Sequence, residues 1–109
     1  SNATEDTNTK RNDFKDRLNK CVDIIKNSSI KYQSLGIFGS YARNDYKASS
    51  DIDFCIIVPE KPERWMMGAL REELEMLHAD VVFVTPQYFE HDNSKFTQQL
   101  RRDYKELKI

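Results

Sequence analysis

Three segments of the chain repeat their apolar residues every three or four positions, a spacing that predicts amphipathic helices. They run from about Lys10 to Asn27, from Pro62 to about His78 and from Asn93 to Leu107, and a shorter helical segment is predicted from Ser40 to about Tyr46. The apolar stripes of the long segments are Phe14, Leu18, Cys21, Val22 and Ile25; Met66, Leu70, Leu74 and Leu77; and Phe96, Leu100, Tyr104 and Leu107. Each stripe is expected to pack on a common core.

Three short runs of apolar, β-branched and aromatic residues predict strands, and each ends at a glycine or a proline. The runs are Ser34 to Phe38, Ile52 to Val58 and Val81 to Thr85. The second run is apolar at nearly every position, which is typical of a strand covered on both faces, so we place it at the centre of the sheet. The resulting order, α-β-α-β-α-β-α, predicts an α/β (α+β) fold with a small mixed β-sheet flanked by helices.

The order of elements brings several polar residues to one edge of this sheet. The connection between the second and third strands is long enough for a crossover helix, so these strands should be parallel and their first residues adjacent. Asp51, Asp53 and Asp80 lie at those starts. If the first strand runs antiparallel beside the second, Gly39 and Ser40 at its end reach the same edge. These five residues form the candidate site.

The chain has 109 residues, of which 39% are hydrophobic and 32% are charged. This composition is too apolar for a disordered chain, and the length predicts one domain. We assign the polar residues 1–9 to a disordered tag and N-terminal tail, and residues 10–109 to a single domain. The net charge of −1 provides no cationic field, so stable binding of duplex nucleic acid is not expected.

No apolar run approaches the roughly 18 residues of a membrane-spanning helix, so no association with a membrane is expected. Cys21 and Cys55 lie within apolar periodic segments, which favours reduced core thiols over a disulfide or a zinc site. We therefore expect a cytoplasmic protein. The pattern leaves the oligomeric state open, and a homo-oligomer stays among the alternatives.

The three acidic residues predict a metal site. Asp51 and Asp53 are two positions apart in an extended segment and point to one face, and Asp80 comes from a strand about 4.8 Å away. Two ionised carboxylates about 5 Å apart repel by roughly 3 kcal/mol at an effective dielectric constant near 20, so a cation is expected among them. The donors are hard oxygens without His or Cys, which favours Mg²⁺, or alternatively Mn²⁺, over zinc or copper.

Gly39 and Ser40 predict a phosphate-binding corner. A glycine lets the backbone approach an anion closely, and the first amides of the following segment point outward at a positive dipole end. The Ser40 hydroxyl can donate a further hydrogen bond, although a plain N-cap role is also open. A nucleoside triphosphate at this corner suits attack by a hydroxyl on the α-phosphorus with two metal ions bracketing the reacting oxygens. Asp80 would help to hold and deprotonate that hydroxyl.

The spacing of these residues carries a resemblance to a known family. The sequence reads FGSYAR at residues 38–43, SDIDF at residues 50–54 and ADVV at residues 79–82, with ten residues between Ser40 and Asp51. In this pattern the chain resembles the minimal nucleotidyltransferases of the DNA polymerase beta superfamily. Their signature is a Gly-Ser at a strand end, Asp-x-Asp in the next strand and a third acid in a later one. Asn44 departs from the glycine that relatives often carry, but Asn tolerates a left-handed backbone.

The resemblance implies a nucleotidyltransferase (polymerase beta-like) fold. It implies that Asp51, Asp53 and Asp80 are catalytic and metal-binding, with two Mg²⁺ ions, and that Gly39 and Ser40 bind the nucleotide. It further implies transfer of AMP from ATP to a tyrosine of a cognate HEPN-domain toxin, with this chain as the antitoxin. Two alternatives stay open: a non-catalytic nucleotide-binding antitoxin or interaction module, and transfer to a small molecule such as an aminoglycoside.

Other polar and aromatic positions carry weaker expectations. Arg43 either contacts phosphate or faces solvent, and the two histidines, His78 and His91, have ordinary surface or cap roles because neither has a partner at a metal-binding interval. Trp65 and the two methionines after it cannot all lie on one helix stripe, so at least one should be exposed. The basic residues near Arg101 suit a solvated helix face better than a triphosphate or acidic-partner contact.

Overall fold

The structure, a computed structural model, describes residues 3–108, with side chains from residue 11 onward. The helices within this range are α1 (Ala3–Asn27), α2 (Gly39–Arg43), α3 (Arg64–Glu75), α4 (Pro86–His91) and α5 (Lys95–Asp103). The strands are β1 (Ser34–Phe38), β2 (Ile52–Ile57), β3 (Ala79–Val84) and β4 (Lys105–Glu106). None of these helices is both long enough and apolar enough to cross a membrane.

The four strands form one mixed sheet in the order β3-β2-β1-β4. As predicted, β2 runs parallel to β3 and antiparallel to β1. The register sets Asp53 opposite Phe38 on one side and opposite Asp80 on the other. The end of β1 and the starts of β2 and β3 therefore meet at one edge of the sheet.

Apolar side chains pack on both faces of β2, which confirms its predicted central place. Ile52 and Phe54 lie in a core shared with α1 and α3, whereas Cys55 packs with Leu100 of α5. Phe54 and Cys55 are both fully buried. Because successive residues of a strand alternate between its faces, Asp53 lies on the same face as Cys55. The candidate carboxylates thus belong to the face that α4 and α5 cover.

The first helix is longer than its apolar pattern predicted. It begins at Ala3, whereas the apolar pattern predicted a start near Lys10. Residues 3–9 are polar, and their sequence carries no apolar periodicity to indicate a helix. Backbone hydrogen bonds extend a formed helix without such a pattern, at one bond for each added residue. Ser1, Asn2 and Ile109 lie outside the described residues, and the division into a tail and a domain of residues 10–109 stays a prediction.

The C-terminal segment contains two elements rather than the single helix predicted from Asn93 to Leu107. Helix α5 ends at Asp103, and β4 then pairs antiparallel with β1. The amide of Leu107 donates a hydrogen bond to the carbonyl of Leu35 at 2.8 Å. Free edge amides and carbonyls of β1 can thus be satisfied by a short strand, an interaction between distant residues that helical spacing alone cannot indicate.

Two helices differ in detail from the prediction. The short helix α4 was missed, although Thr85 accepts a hydrogen bond from the amide of Tyr88 and Pro86 opens the helix, both recognised start signals. Helix α3 buries Met67 rather than Met66 on its stripe with the two leucines. Trp65 is 67% exposed, which confirms that at least one of Trp65, Met66 and Met67 lies off the buried stripe of the helix.

Candidate active site

The three predicted carboxylates lie at one edge of the sheet. Asp53 of β2 and Asp80 of β3 are direct partners in the parallel register, and Asp51 lies just before β2. Asp53 is partly buried, whereas Asp51 and Asp80 are exposed. The most enclosed carboxylate therefore has an exposed one in the neighbouring strand and another two residues away along the chain.

Burial and neighbouring charges act together on Asp53. Burial, together with the negative charges of Asp80 and Asp51, raises the pKa of its carboxyl to about 6. The positive charge of Arg43 opposes this rise but does not cancel it. Near neutral pH, ionisation of Asp53 therefore costs free energy that a bound cation would recover.

Gly39 brings the predicted phosphate corner into contact with these carboxylates. Its φ of +75° is in the left-handed region that favours glycine, and a Cβ atom built there would lie 2.5 Å from Oδ2 of Asp53. A side chain at this position would be strained by the backbone and would also displace the carboxylate. The Gly-Ser and Asp-x-Asp motifs are thus in direct contact in the fold.

Ser40 lies in the first turn of α2, partly buried beside Gly39. The N-cap position belongs to Phe38, so the plain N-cap role that we left open for Ser40 is wrong. Asn44 ends the helix with a φ of +65°, the left-handed conformation anticipated for it. The chain can therefore turn sharply at both ends of α2, which keeps Ser40 at the edge where the carboxylates lie.

Arg43 is exposed and forms two ion pairs that the sequence did not indicate. Its Nη1 donates to Oδ2 of Asp103 at 2.7 Å and its Nε donates to Oδ2 of Asp45 at 3.2 Å. Asp103 is buried at the end of α5 and also accepts a hydrogen bond from Gln99. Arg43 is thus exposed, as one of the two expectations had it, and it also ties α2 to α5, whereas a phosphate contact stays a prediction. The distance of 60 residues along the chain hid this pairing from sequence analysis.

A second arginine, Arg101, was expected on a solvated face. Instead its Nη1 donates to the carbonyls of Phe89 and Asp92 at 2.7 and 2.8 Å. These bonds satisfy carbonyl groups at the end of α4 and join it to α5. Arg101 therefore serves the packing of this face rather than the binding of a triphosphate.

The donor chemistry at the edge fits a hard divalent cation, since carboxylate oxygens are the ligands that magnesium prefers. The raised pKa of Asp53 is also the direction expected of acids that lack a counter-ion. Among the described side chains, however, no group of three or more His, Cys, Asp and Glu residues is arranged to hold a metal ion. One oxygen of Asp80 instead accepts from the amide of Val81 at 2.8 Å. Magnesium is commonly held by one or two carboxylates together with substrate phosphates, and the metal site stays a prediction.

Sequence analysis gave no role to Arg17, a polar position on α1. Its guanidinium donates a hydrogen bond to the hydroxyl of Tyr41 at 2.6 Å and contacts the turns that lead into β2 and β3. It also lines a cavity of about 520 Å³ together with Phe14, Tyr41, Tyr46 and His78. No sequence signal distinguished this arginine, because its contacts come from distant parts of the chain.

Comparisons with known proteins identify the family to which the chain belongs. The family model described as nucleotidyltransferase domain matches residues 18–106. A relative from Methanocaldococcus jannaschii, named as a protein adenylyltransferase, is 42% identical over 65 residues, which cover 60% of this chain and 65% of that protein. The match thus spans just under two thirds of the relative.

Two solved structures share the fold. A chain of a toxin–antitoxin crystal structure with AMP-PNP aligns with a TM-score of 0.60 and 24% identity, covering 81% of this chain and 69% of that chain. A chain of a complex between a tri-AMPylated Shewanella oneidensis HEPN toxin and an MNT antitoxin aligns with a TM-score of 0.55 and 23% identity, covering 83% and 67%. At these identities the likeness shows the fold alone. The predicted fold class and family resemblance are confirmed, and the chain belongs to the nucleotidyltransferase domain family.

Proposed function

We propose that this chain is a magnesium-dependent nucleotidyltransferase that transfers AMP from ATP to a hydroxyl acceptor. One observation carries the proposal: Gly39 packs against the carboxylate of Asp53, and Asp53 faces Asp80 across the parallel strand pair. A phosphate-binding corner and an acidic cluster therefore share one edge of the sheet. The family match supports the same reaction class.

The residues of the edge divide the work of transfer among them. Backbone amides after Gly39 and the Ser40 hydroxyl would donate hydrogen bonds to the phosphates. Asp51, Asp53 and Asp80 would hold Mg²⁺, in one or two ions, which when bound supplies charge stabilisation at the reacting phosphate. Asp80 would accept the proton of the acceptor hydroxyl as its oxygen bonds to the α-phosphorus, and pyrophosphate leaves as the bond to the bridging oxygen breaks.

A protein hydroxyl is the acceptor that an open edge suits best. Asp51 and Asp80 are exposed, so a large partner can bring a side chain to them. The Methanocaldococcus jannaschii relative is named as a protein adenylyltransferase, and one structural neighbour is a complex containing an AMPylated HEPN toxin. We therefore take the acceptor to be a tyrosine of a cognate HEPN-domain toxin, with this chain as its antitoxin.

The test is transfer of label from ATP labelled at the α-phosphate to a co-purified HEPN-domain partner. Asp51→Asn and Asp53→Asn should each reduce labelling by at least about 100-fold in the presence of Mg²⁺, since each removes a charge at the reacting centre. Asp23→Asn is the matched control, because Asp23 is exposed on α1 away from the sheet edge. Mass spectrometry should locate the added AMP on a tyrosine. Wild-type labelling by both site variants would refute the active-site assignment.

A second candidate function is a non-catalytic antitoxin that neutralises its partner by occlusion. The exposure of Asp51 and Asp80 favours it, because a partner can cover this edge without any reaction. This alternative expects a stoichiometric complex that protects against the toxin without ATP and equally well in the Asp variants. Loss of protection in Asp53→Asn, or an absolute need for ATP, would exclude it. Acceptor trials with aminoglycosides test the third alternative, transfer to a small molecule.

A further inference from the structure

Arg17 makes an unusual set of contacts for a residue in the middle of a helix. Its Nη1 donates to the carbonyls of Leu77 and His78 at 3.1 and 3.2 Å. Its Nη2 donates to the hydroxyl of Tyr41 at 2.6 Å and lies 3.4 Å from the carbonyl of Ser50. One guanidinium thus joins α1 to α2 and to the turns before β2 and β3.

Three of these acceptors adjoin candidate site residues along the chain. The pairs are Tyr41 with Ser40, Ser50 with Asp51, and His78 with Asp80 two residues later. The carboxylates belong to the face that α4 and α5 cover, whereas Arg17 acts from the α1 side. Arg17 therefore contacts the backbone that carries the site and leaves the reacting edge free.

The turn at His78 has a backbone conformation that must be stabilised by its contacts. His78 has a φ of +53°, a left-handed conformation that costs free energy unless its surroundings hold it. Its carbonyl accepts from Arg17 and also from the amide of Ile52 at 3.0 Å. The start of β3, and with it Asp80, is thereby fixed relative to the start of β2.

Tyr41 is held just as firmly. Its ring stacks against Phe14 and Tyr46, with ring centroids 4.4 and 4.2 Å away, and those two rings also contact each other. The Arg17 guanidinium lies 5.6 Å from the centre of the same ring, within range of a cation–π contact. Tyr41, which follows Ser40, is therefore held against α1 by Arg17, the same residue that contacts the turns before β2 and β3.

We propose that Arg17 is a positioning residue of the active site, which fixes the Gly-Ser corner and the starts of β2 and β3 at the mutual distances that transfer requires. This inference rests on the proposed transferase function. The guanidinium carries five N–H donors in a fixed plane, whereas a lysine ammonium has three on a single nitrogen, so a lysine cannot reach all four acceptors.

The experiment compares Arg17→Met and Arg17→Lys with the control Lys20→Met, an exposed residue of α1 that lines the same cavity. Transfer of labelled AMP should fall by about 10- to 100-fold in kcat for both Arg17 variants, since residues that orient ligands typically contribute this much. The dissociation constant of Mn²⁺ in the presence of AMP-PNP, measured by electron paramagnetic resonance, should rise about 10-fold. Without metal or nucleotide, the amide NMR signals of Asp51 and Asp80 should shift.

Measurements are made below the lowest Tm of the set, so that loss of fold does not count as loss of activity. Unchanged kcat, Mn²⁺ affinity and amide signals in a folded Arg17→Lys or Arg17→Met would overturn the positioning role, even if the Tm falls. If Arg17→Met does not fold, Arg17→Lys and Tyr41→Phe decide, and the latter should lose less than the former. Activity retained by Asp53→Asn would instead refute the proposed function itself.

Discussion

Gly36 lies inside β1 and Gly39 directly follows its end, and neither position leaves room for a Cβ atom, but for different reasons. At Gly36 a Cβ would lie 2.6 Å from Cζ of Tyr104 and 2.6 Å from the carbonyl oxygen of Lys105. At Gly39 it would meet a carboxylate oxygen of Asp53. The absence of a side chain at Gly36 lets the ring of Tyr104 and β4 pack closely on β1, whereas its absence at Gly39 makes room for the carboxylate of Asp53.

The two regions also differ in how they respond to pH. Burial raises the pKa of the Tyr104 hydroxyl to about 12, so the group beside Gly36 stays neutral across the ordinary range. The pKa of Asp53 beside Gly39 is raised to about 6 and lies near neutrality. The middle of β1 is thus packed against Tyr104 and β4, whereas an ionisable group is kept beside its C-terminal end at free-energy cost. Such a cost at a family's motif residues is typical of functional sites.

The largest effect, on AMP transfer, is expected at Gly39. Gly39→Ala should reduce AMP transfer by at least about 100-fold, because the new Cβ displaces Asp53 and the backbone there has a positive φ. Steady-state transfer of labelled AMP measures the loss, and circular dichroism confirms that the variant is folded. Gly68→Ala is the matched control, since a Cβ there meets nothing within 4 Å. Full activity in a folded Gly39→Ala would remove the distinction between the two glycines.

Gly36→Ala should lower the stability of the protein but leave its transfer activity unchanged. We expect the free energy of unfolding to fall by about 2 kcal/mol, because the added methyl group overpacks the contact with Tyr104 and β4. Transfer activity per folded molecule should stay near wild type, since Gly36 lies in the middle of β1 and does not contact Asp53. Urea titration gives the stability. A stable Gly36→Ala variant with impaired transfer would show that the packing at Gly36 and the site at Gly39 are coupled.

Asp103→Asn should show how far the site depends on α5. The buried carboxylate that accepts from Arg43 and Gln99 would become neutral, and we expect a loss of about 1–2 kcal/mol in the free energy of unfolding. Asp45→Asn alters the exposed partner of the same arginine and should change stability little. Thermal unfolding of both variants provides the measurement. Equal Tm values for the two would contradict a structural role for the buried pair.

The smallest effect concerns the pH dependence of stability. The folded-state pKa of Asp53 lies above its ordinary value of 3.8, so the folded protein binds more protons and loses stability as pH rises from about 4 to about 6. Asp53→Asn should therefore raise the free energy of unfolding by about 1 kcal/mol at pH 7.5 relative to its effect at pH 4, in the absence of metal. Urea titrations with a chelator measure this difference, which added Mg²⁺ should reduce. A difference that does not change with pH would show that folding does not raise the pKa of Asp53.

Periodicity alone predicted the elements that position the candidate site. The residues of β1 and the β2 and β3 cores were predicted from short apolar runs, and the long connection between β2 and β3 gave their parallel pairing. These features are local or follow from chain length, so a linear pattern can contain them. The antiparallel pairing expected for β1 and β2 likewise brought Gly39 and Ser40 to the edge that carries the aspartates, and the structure has that pairing.

The tertiary structure alone decided the contacts between parts of the chain that are far apart in sequence. The pairing of Arg43 with Asp103, the tie from Arg17 to the turns before β2 and β3, and the addition of β4 beside Gly36 each join segments dozens of residues apart. Arginine and aspartate are equally suited to solvent along the sequence, and a two-residue strand has no periodicity to detect. Such groups acquire their partners only when packing brings them together, which is why composition and spacing could predict the site's residues but not what holds them.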